Sequence, residues 1–234
     1  MNDRELALAY APIIHFDEAE TIPLRAVGYT IAHNTMRSDS FPKRELTVPI
    51  GASCVIEYAY YWDYDIQHMY DLEHIWITVG EKGEVMDAEG SFHGRDLKLL
   101  PALSCVIPPE KGHVHAFCQQ GKHAFMPDGQ LFRLLPDWKE ACSTQAGGPV
   151  LIGGPFGGVY QPTEEDNALS RRYIRETLRF MPTMRFTKTV DDFIADAPVY
   201  LPWLQLKEEI PVRIRRECDR LHTLYAEKDA GDRL

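Results

Sequence analysis

The chain lacks paired cysteines, a surplus of positive charge and any long apolar run, and each absence removes a class of protein. Its five cysteines, Cys54, Cys105, Cys118, Cys142 and Cys218, are odd in number, scattered, and never form a CxxC pair. That usage is expected of reduced thiols and not of a disulfide framework. Only 25 lysines and arginines stand against 35 acidic residues, a formal net charge of −10. A chain so acidic has no broad basic face for nucleic acid or an anionic membrane surface, whereas it suits cations. No stretch approaches the roughly 20 apolar residues of a membrane span. The polar start Met1-Asn2-Asp3-Arg4-Glu5 has no signal-peptide core. The expectation is a soluble, cytoplasmic protein without integral membrane association.

Familiar catalytic motifs are missing too. None of Ser53, Ser91 or Ser143 lies in a GxSxG elbow, so an α/β-hydrolase has no support. The glycine-rich pieces 147–149 and 153–158 lack a Walker lysine and a GxGxxG between strand and helix. They read as turns around a short strand at 150–152, or as a mobile loop near a ligand.

What is present is an ordinary globular mixture, 44% hydrophobic and 26% charged over 234 residues, long enough to bury a real core. Strand signals dominate the first two thirds. Ile13, Ile14 and Phe16 follow Pro12, and residues 27–32 form a further extended piece. Residues 48–63 are rich in Val, Ile, Tyr and Trp, and 72–79 make a second strong strand. Glu81-Lys82-Gly83 supplies turn chemistry, so 84–89 returns as a hairpin partner. Residues 113–118 and 129–134 complete the set of expected strands. Thr163-Glu164-Glu165-Asp166 offers a cap and first-turn acids for a helix with Leu169, Tyr173, Thr177 and Met181 on one stripe, stopped by Pro182. A second helix is expected from near Pro211, with Ile214, Cys218, Leu221 and Tyr225 as its apolar face. The fold class is therefore α+β, mainly β: a β-sandwich or an irregular barrel, with flanking helices and a helical C-terminal segment. It reads as a single domain over 1–234, with the sandwich core at about 8–160 and packed helices at about 163–228.

The chemistry concentrates between Asp63 and His74, where four carboxylates (Asp63, Asp65, Asp71, Glu73) and two histidines (His68, His74) fall together. Asp71 and Glu73 are two apart on a strand and share a face that Ile75, Ile77 and Val79 continue into core. Two carboxylates at the mouth of an apolar face repel each other and lose hydration, and a bound cation relieves both costs. No lysine or arginine lies between Arg44 and Lys82, so compensation comes from afar or from an ion. His68, on the incoming loop, folds over the same point, and Asp63 and Asp65 approach from the side. His74 falls on the opposite face with Leu72 and Trp76 as a packing histidine.

His68-x-x-Asp71-x-Glu73-His74, a hairpin, and then Ser91-Phe92-His93-Gly94 resemble the Gly-His-Arg-His-Asp-Trp-Glu segment and later His-Gly of the necrosis- and ethylene-inducing-peptide-like (NLP) proteins. Tyr10-Ala11-Pro12-Ile13-Ile14-His15-Phe16 and Gly121-Lys122-His123-Ala124 are similar to the vacuolar-sorting-associated relatives of that superfamily. The resemblance implies a divalent cation held by His68, Asp71 and Glu73 with one of Asp63 and Asp65. Gln67, Tyr70 and Leu72 depart from the heptapeptide. His93 and His123 are candidates for further ligands, orienting groups or proton carriers. Oxygen donors with one imidazole suit Mg²⁺, Ca²⁺ or Mn²⁺, and Zn²⁺ or Fe²⁺ if another histidine joins. Two functions follow: a metal-dependent hydrolase with His93 or His123 as catalytic proton carrier, or a non-catalytic module in which the metal orients a glycan or lipid headgroup. Tyr60, Tyr61, Trp62 and Tyr64 offer either stacking surface for a sugar or core packing. A purely structural ion is a third reading.

Overall fold

The computed structural model describes residues 1–100, 110–193 and 199–231; Cys105 lies outside them. In chain order the elements are α1 (Asp3–Ala9), β1 (Ile13–His15), β2 (Ala26–Ala32), β3 (Met36–Arg37), β4 (Glu45–Leu46), β5 (Ala52–Asp65), β6 (His68–Gly80) and β7 (Val85–Phe92). They continue with β8 (Arg95–Lys98), β9 (His115–Cys118), β10 (Phe125–Met126), α2 (Glu164–Tyr173), β11 (Val199–Pro202) and α3 (Trp203–Gly231). One sheet has six strands in the order β11-β2-β5-β6-β7-β8 and another has three, β1-β9-β10. The small β3-β4 ladder lies apart. The mixed, mainly β architecture with a helical C-terminus is the one expected.

The long β5–β6 hairpin is the spine. Its strands are apolar on both sides because both faces are covered. On one face Tyr58, Tyr60, Trp62, Ile75 and Ile77 pack against Ile14, Ala116 and Phe125 of the three-stranded sheet. On the other, Ala59 and Tyr61 lie beneath Trp203, Leu206, Ile210 and Ile214 of α3. Close approach of α3 to β2 needs Gly28, where a Cβ would stand 2.9 Å from the Trp203 ring.

Several local readings shift. The 84–89 return is a true hairpin, with Val79 opposite Val85. Residues 129–134 are not a strand but a 3₁₀ turn: Asp128 caps Gln130 N at 2.8 Å, and Phe132 anchors it beside Met126 and Met184. The expected strand at 150–152 is reduced to one bridge, Val150 with Met69. The C-terminal helix begins at Trp203 and runs through Pro211. The lost hydrogen bond and ring clash cost about 3 kcal/mol, which burial of Trp203, Leu206 and Ile210 offsets at about 1.5–3 kcal/mol each. Helix α1 had its signal in Asn2 and Glu5, which form a reciprocal capping box. The expected box at Thr163 and Asp166 opens α2, which continues as a π turn over Ile174–Leu178. The four described cysteines are buried free thiols. Among the described residues no helix is long and apolar enough to cross a membrane.

Candidate functional site

The turn joining β5 to β6 organises the site. Asp65 is almost fully buried, and its Oδ1 accepts from the backbone N–H groups of Gln67 and His68. Backbone from two distant segments locks the turn: Ile66 N donates to Gly121 O at 2.7 Å, and Gly147 N donates to Ile66 O at 2.9 Å. Gly148 passes so close that a Cβ there would fall 1.5 Å from Gln67 O.

Just inside the turn, Asp71 and Glu73 project from the same face as Ile75 and Ile77, because Asp71 pairs with Trp62 and Glu73 with Tyr60 across the ladder. The ladder skips a pair at Tyr70, whose φ of 77° turns its carbonyl towards His68. His68 Nδ1 donates to that carbonyl at 2.8 Å. Its Nε2 lies 3.4 Å from Asp65 Oδ2.

His123 arrives from the 119–124 turn between β9 and β10. It is fully buried, its ring lies parallel to that of Trp62 with centroids 4.2 Å apart, and Nδ1 meets Asp71 Oδ2 at 2.8 Å. Its Nε2 has no hydrogen-bond partner among the described residues. Burial lowers its pKa to about 4, so the ring is neutral and shares a single hydrogen bond with Asp71 through Nδ1. The left-handed backbone of the turn (Gly121 φ 62°, His123 φ 59°) is held by Glu20 Oε2, which accepts from Gly121 N at 2.7 Å.

Burial, then the charge of Asp65, pushes the Asp71 carboxyl up to about 7, against the lowering influence of His68 and Lys122. Glu73 is raised well above its usual range by burial and by Asp71, although Ser91 Oγ donates to it. The lysine is the group that linear reading missed. Lys122 Nζ lies 2.5 Å from Asp65 Oδ2 and 3.2 Å from Gln67 Oε1. Nothing local in the sequence signals it, since it arrives from more than fifty residues away.

Asp63 is a correction. It follows Ala59 and Tyr61 onto the opposite face of β5, where Arg25 (2.8 Å), Arg213 (3.4 Å) and the Tyr61 hydroxyl (3.0 Å) neutralise it. Asp65 is the upstream aspartate brought to Asp71. His93, at φ 46° in the β7–β8 turn, has Nε2 bound to Gln119 Oε1 at 2.7 Å. Tyr60, Tyr61, Trp62 and Tyr64 are at most 4% exposed, so these rings form core and not a stacking platform. His74 lies on the far face, stacked on Trp76, with Nε2 3.0 Å from Ser40 Oγ.

A cleft of about 440 Å³ borders this region; His68 and Asp71 line it together with Ser40, Phe41, Leu72 and His74. Among the described residues no three histidine, cysteine or carboxylate side chains close on one point in the manner of an assembled metal site. Three carboxyl groups, Asp65, Asp71 and Glu73, and the His68 imidazole are gathered here with one ammonium, Lys122, among them, oxygen and nitrogen donors of the kinds that hard divalent cations take.

No family model matches the chain, and no curated protein matches it. Solved structures give distant likenesses. NLPPya in complex with mannosamine aligns at TM-score 0.35 and 12% identity, over 52% of this chain and 64% of that one. A structure described as a toxin fold for microbial attack and plant defense aligns at 0.36 and 13%, covering 53% and 66%. A substituted NLPPya aligns at 0.35 and 14% over 83% and 89%. The chain spans less than two thirds of the first of these. The likeness is a distant one to the NLP toxin fold, and at such scores it carries no argument about ligand or activity.

Proposed function

We propose that this protein is a cation-dependent binding module. In this reading Asp65, His68, Asp71 and Glu73 hold a divalent ion such as Mg²⁺, Ca²⁺ or Mn²⁺, and the neighbouring cleft takes a small polar ligand. The observation that carries it is the gathering of His68 Nε2, 3.4 Å from Asp65 Oδ2, with the buried carboxyls of Asp65, Asp71 and Glu73 around a single ammonium, Lys122. Carboxyls crowded in a poorly solvated place repel one another, and a divalent cation relieves that repulsion. When bound, the ion would supply electrostatic attraction and coordination for a ligand oxygen. His123 would orient Asp71, and Ser91 would orient Glu73.

Binding is favoured over hydrolysis by the state of the two candidate proton carriers. His123 is wholly buried, and His93 Nε2 is already bound to Gln119. The histidine-carried hydrolysis considered above needs one of these two rings to reach the substrate.

Calorimetric titration with Mn²⁺ tests the reading, comparing wild type with Asp71→Ala/Glu73→Ala. Binding by wild type that the double variant loses is the expected result; equal binding, or none in either, sinks it. Glucosamine and mannosamine, the sugars in two NLPPya complexes, are first probes for the cleft. Turnover in an ester and phosphoester screen would restore the hydrolase.

A further inference from the structure

Asp65 Oδ1 is committed to the turn, accepting from Gln67 N and His68 N. Oδ2 is therefore the oxygen left for anything else. Two groups converge on it: Lys122 Nζ at 2.5 Å and His68 Nε2 at 3.4 Å. A cation that uses the His68 lone pair together with Asp65 needs the oxygen that the ammonium now holds. An ammonium and a divalent ion cannot share it without strong repulsion in a site this dry.

We propose that Lys122 is a built-in counter-ion that a divalent cation must displace, so that this lysine sets the free cation concentration at which the site fills. The inference rests on the cation reading of the site. The structure gives the lysine both an anchored base and a place to go. Its Cα is fixed by a turn clamped through Gly121 to Glu20 and to Ile66. Its side chain is a flexible four-carbon stem, and Gln67 Oε1, at 3.2 Å, is a second, neutral acceptor for the ammonium. Among the described residues no other lysine or arginine is paired with Asp65; Arg25 and Arg213 are engaged by Asp63 on the opposite face. With Lys122 in place the protein tolerates its buried carboxylates without an ion. With an ion bound, the ammonium leaves Asp65 Oδ2 and keeps Gln67 Oε1 as its acceptor.

The test compares wild type, Lys122→Met and Asp71→Ala/Glu73→Ala by Mn²⁺ titration. Lys122→Met is expected to bind Mn²⁺ at least about tenfold more tightly than wild type, since one unit of repelling charge is gone from within a few ångströms of the ion. Equal or weaker binding by Lys122→Met, with wild-type binding intact, overturns the proposal and leaves the cation site standing. No binding by wild type or by Lys122→Met overturns the cation reading itself. Should Lys122→Met fail to fold, amine acylation of wild type read by mass spectrometry replaces it. Lys122 labelling that rises with Mn²⁺ supports displacement, and labelling that is unchanged at saturating Mn²⁺ refutes it.

Discussion

Replacing Asp71 by Asn should reshape the pH dependence of stability in a calculable way. The folded carboxyl titrates at about 7, against an ordinary value of 3.8. Between these limits the cation-free fold retains a proton that the unfolded chain has released, so stability falls as pH rises. The contribution is fully present below the ordinary value and gone above about 7. A displacement of about three pH units corresponds to about 4 kcal/mol. Buried histidines work the other way: His123, lowered to about 4, and His74, lowered to about 3, are neutral in the fold while the unfolded chain protonates below 6.5. They add stability as pH rises towards 6.5, so the wild-type profile alone mixes opposite signs. The difference between wild type and Asp71→Asn cancels the common histidine contributions and leaves the carboxyl with its effect on Glu73. Urea unfolding in excess chelator, from about pH 4.5 to about pH 8, should show wild type losing about 3 kcal/mol relative to the variant. Because Asp71 also raises Glu73, the difference includes relief of Glu73 and this figure is a lower bound. Saturating Mn²⁺ at the alkaline end should restore wild type and leave the variant unchanged. A flat difference curve would refute the raised carboxyl at Asp71.

Three further outcomes follow from the geometry. Asp63→Asn should leave Mn²⁺ affinity within about twofold while lowering stability by about 1–3 kcal/mol, because it strips charge from Arg25 and Arg213; a large loss of affinity would return Asp63 to the site. Gly148→Ala should cost about 3 kcal/mol or more by driving a methyl into Gln67 O, visible as a fall in melting temperature, and an unchanged melting temperature would mean that the 147–150 segment is not seated on the turn. Trp62→Ala should cost about 3–5 kcal/mol through the cavity left against His123 and Tyr60, measured by chemical denaturation; a cost under about 1 kcal/mol would contradict the stack.

The sequence by itself determined the elements whose signals are local. Alternation placed Asp71 and Glu73 on one face with Ile75 and Ile77, and put His74 on the other with Trp76. The Thr163 box announced α2, and the turn Glu81-Lys82-Gly83 announced the β6–β7 hairpin. Nearby chain also misled. Asp63 and Asp65 looked interchangeable because they are two apart, yet Asp65 ends β5, where its carboxylate binds the N–H groups of the turn, while Asp63 faces Arg25 and Arg213 of α3. The 129–134 run has strand-like apolar residues, but Asp128 caps it into a 3₁₀ turn. Only tertiary structure decided what neutralises what. Lys122 reaches Asp65, and Arg213 reaches Asp63, across more than fifty and nearly one hundred and fifty residues. Charge compensation depends on distance in space and on local dielectric, neither of which is written in the spacing of residues along the chain.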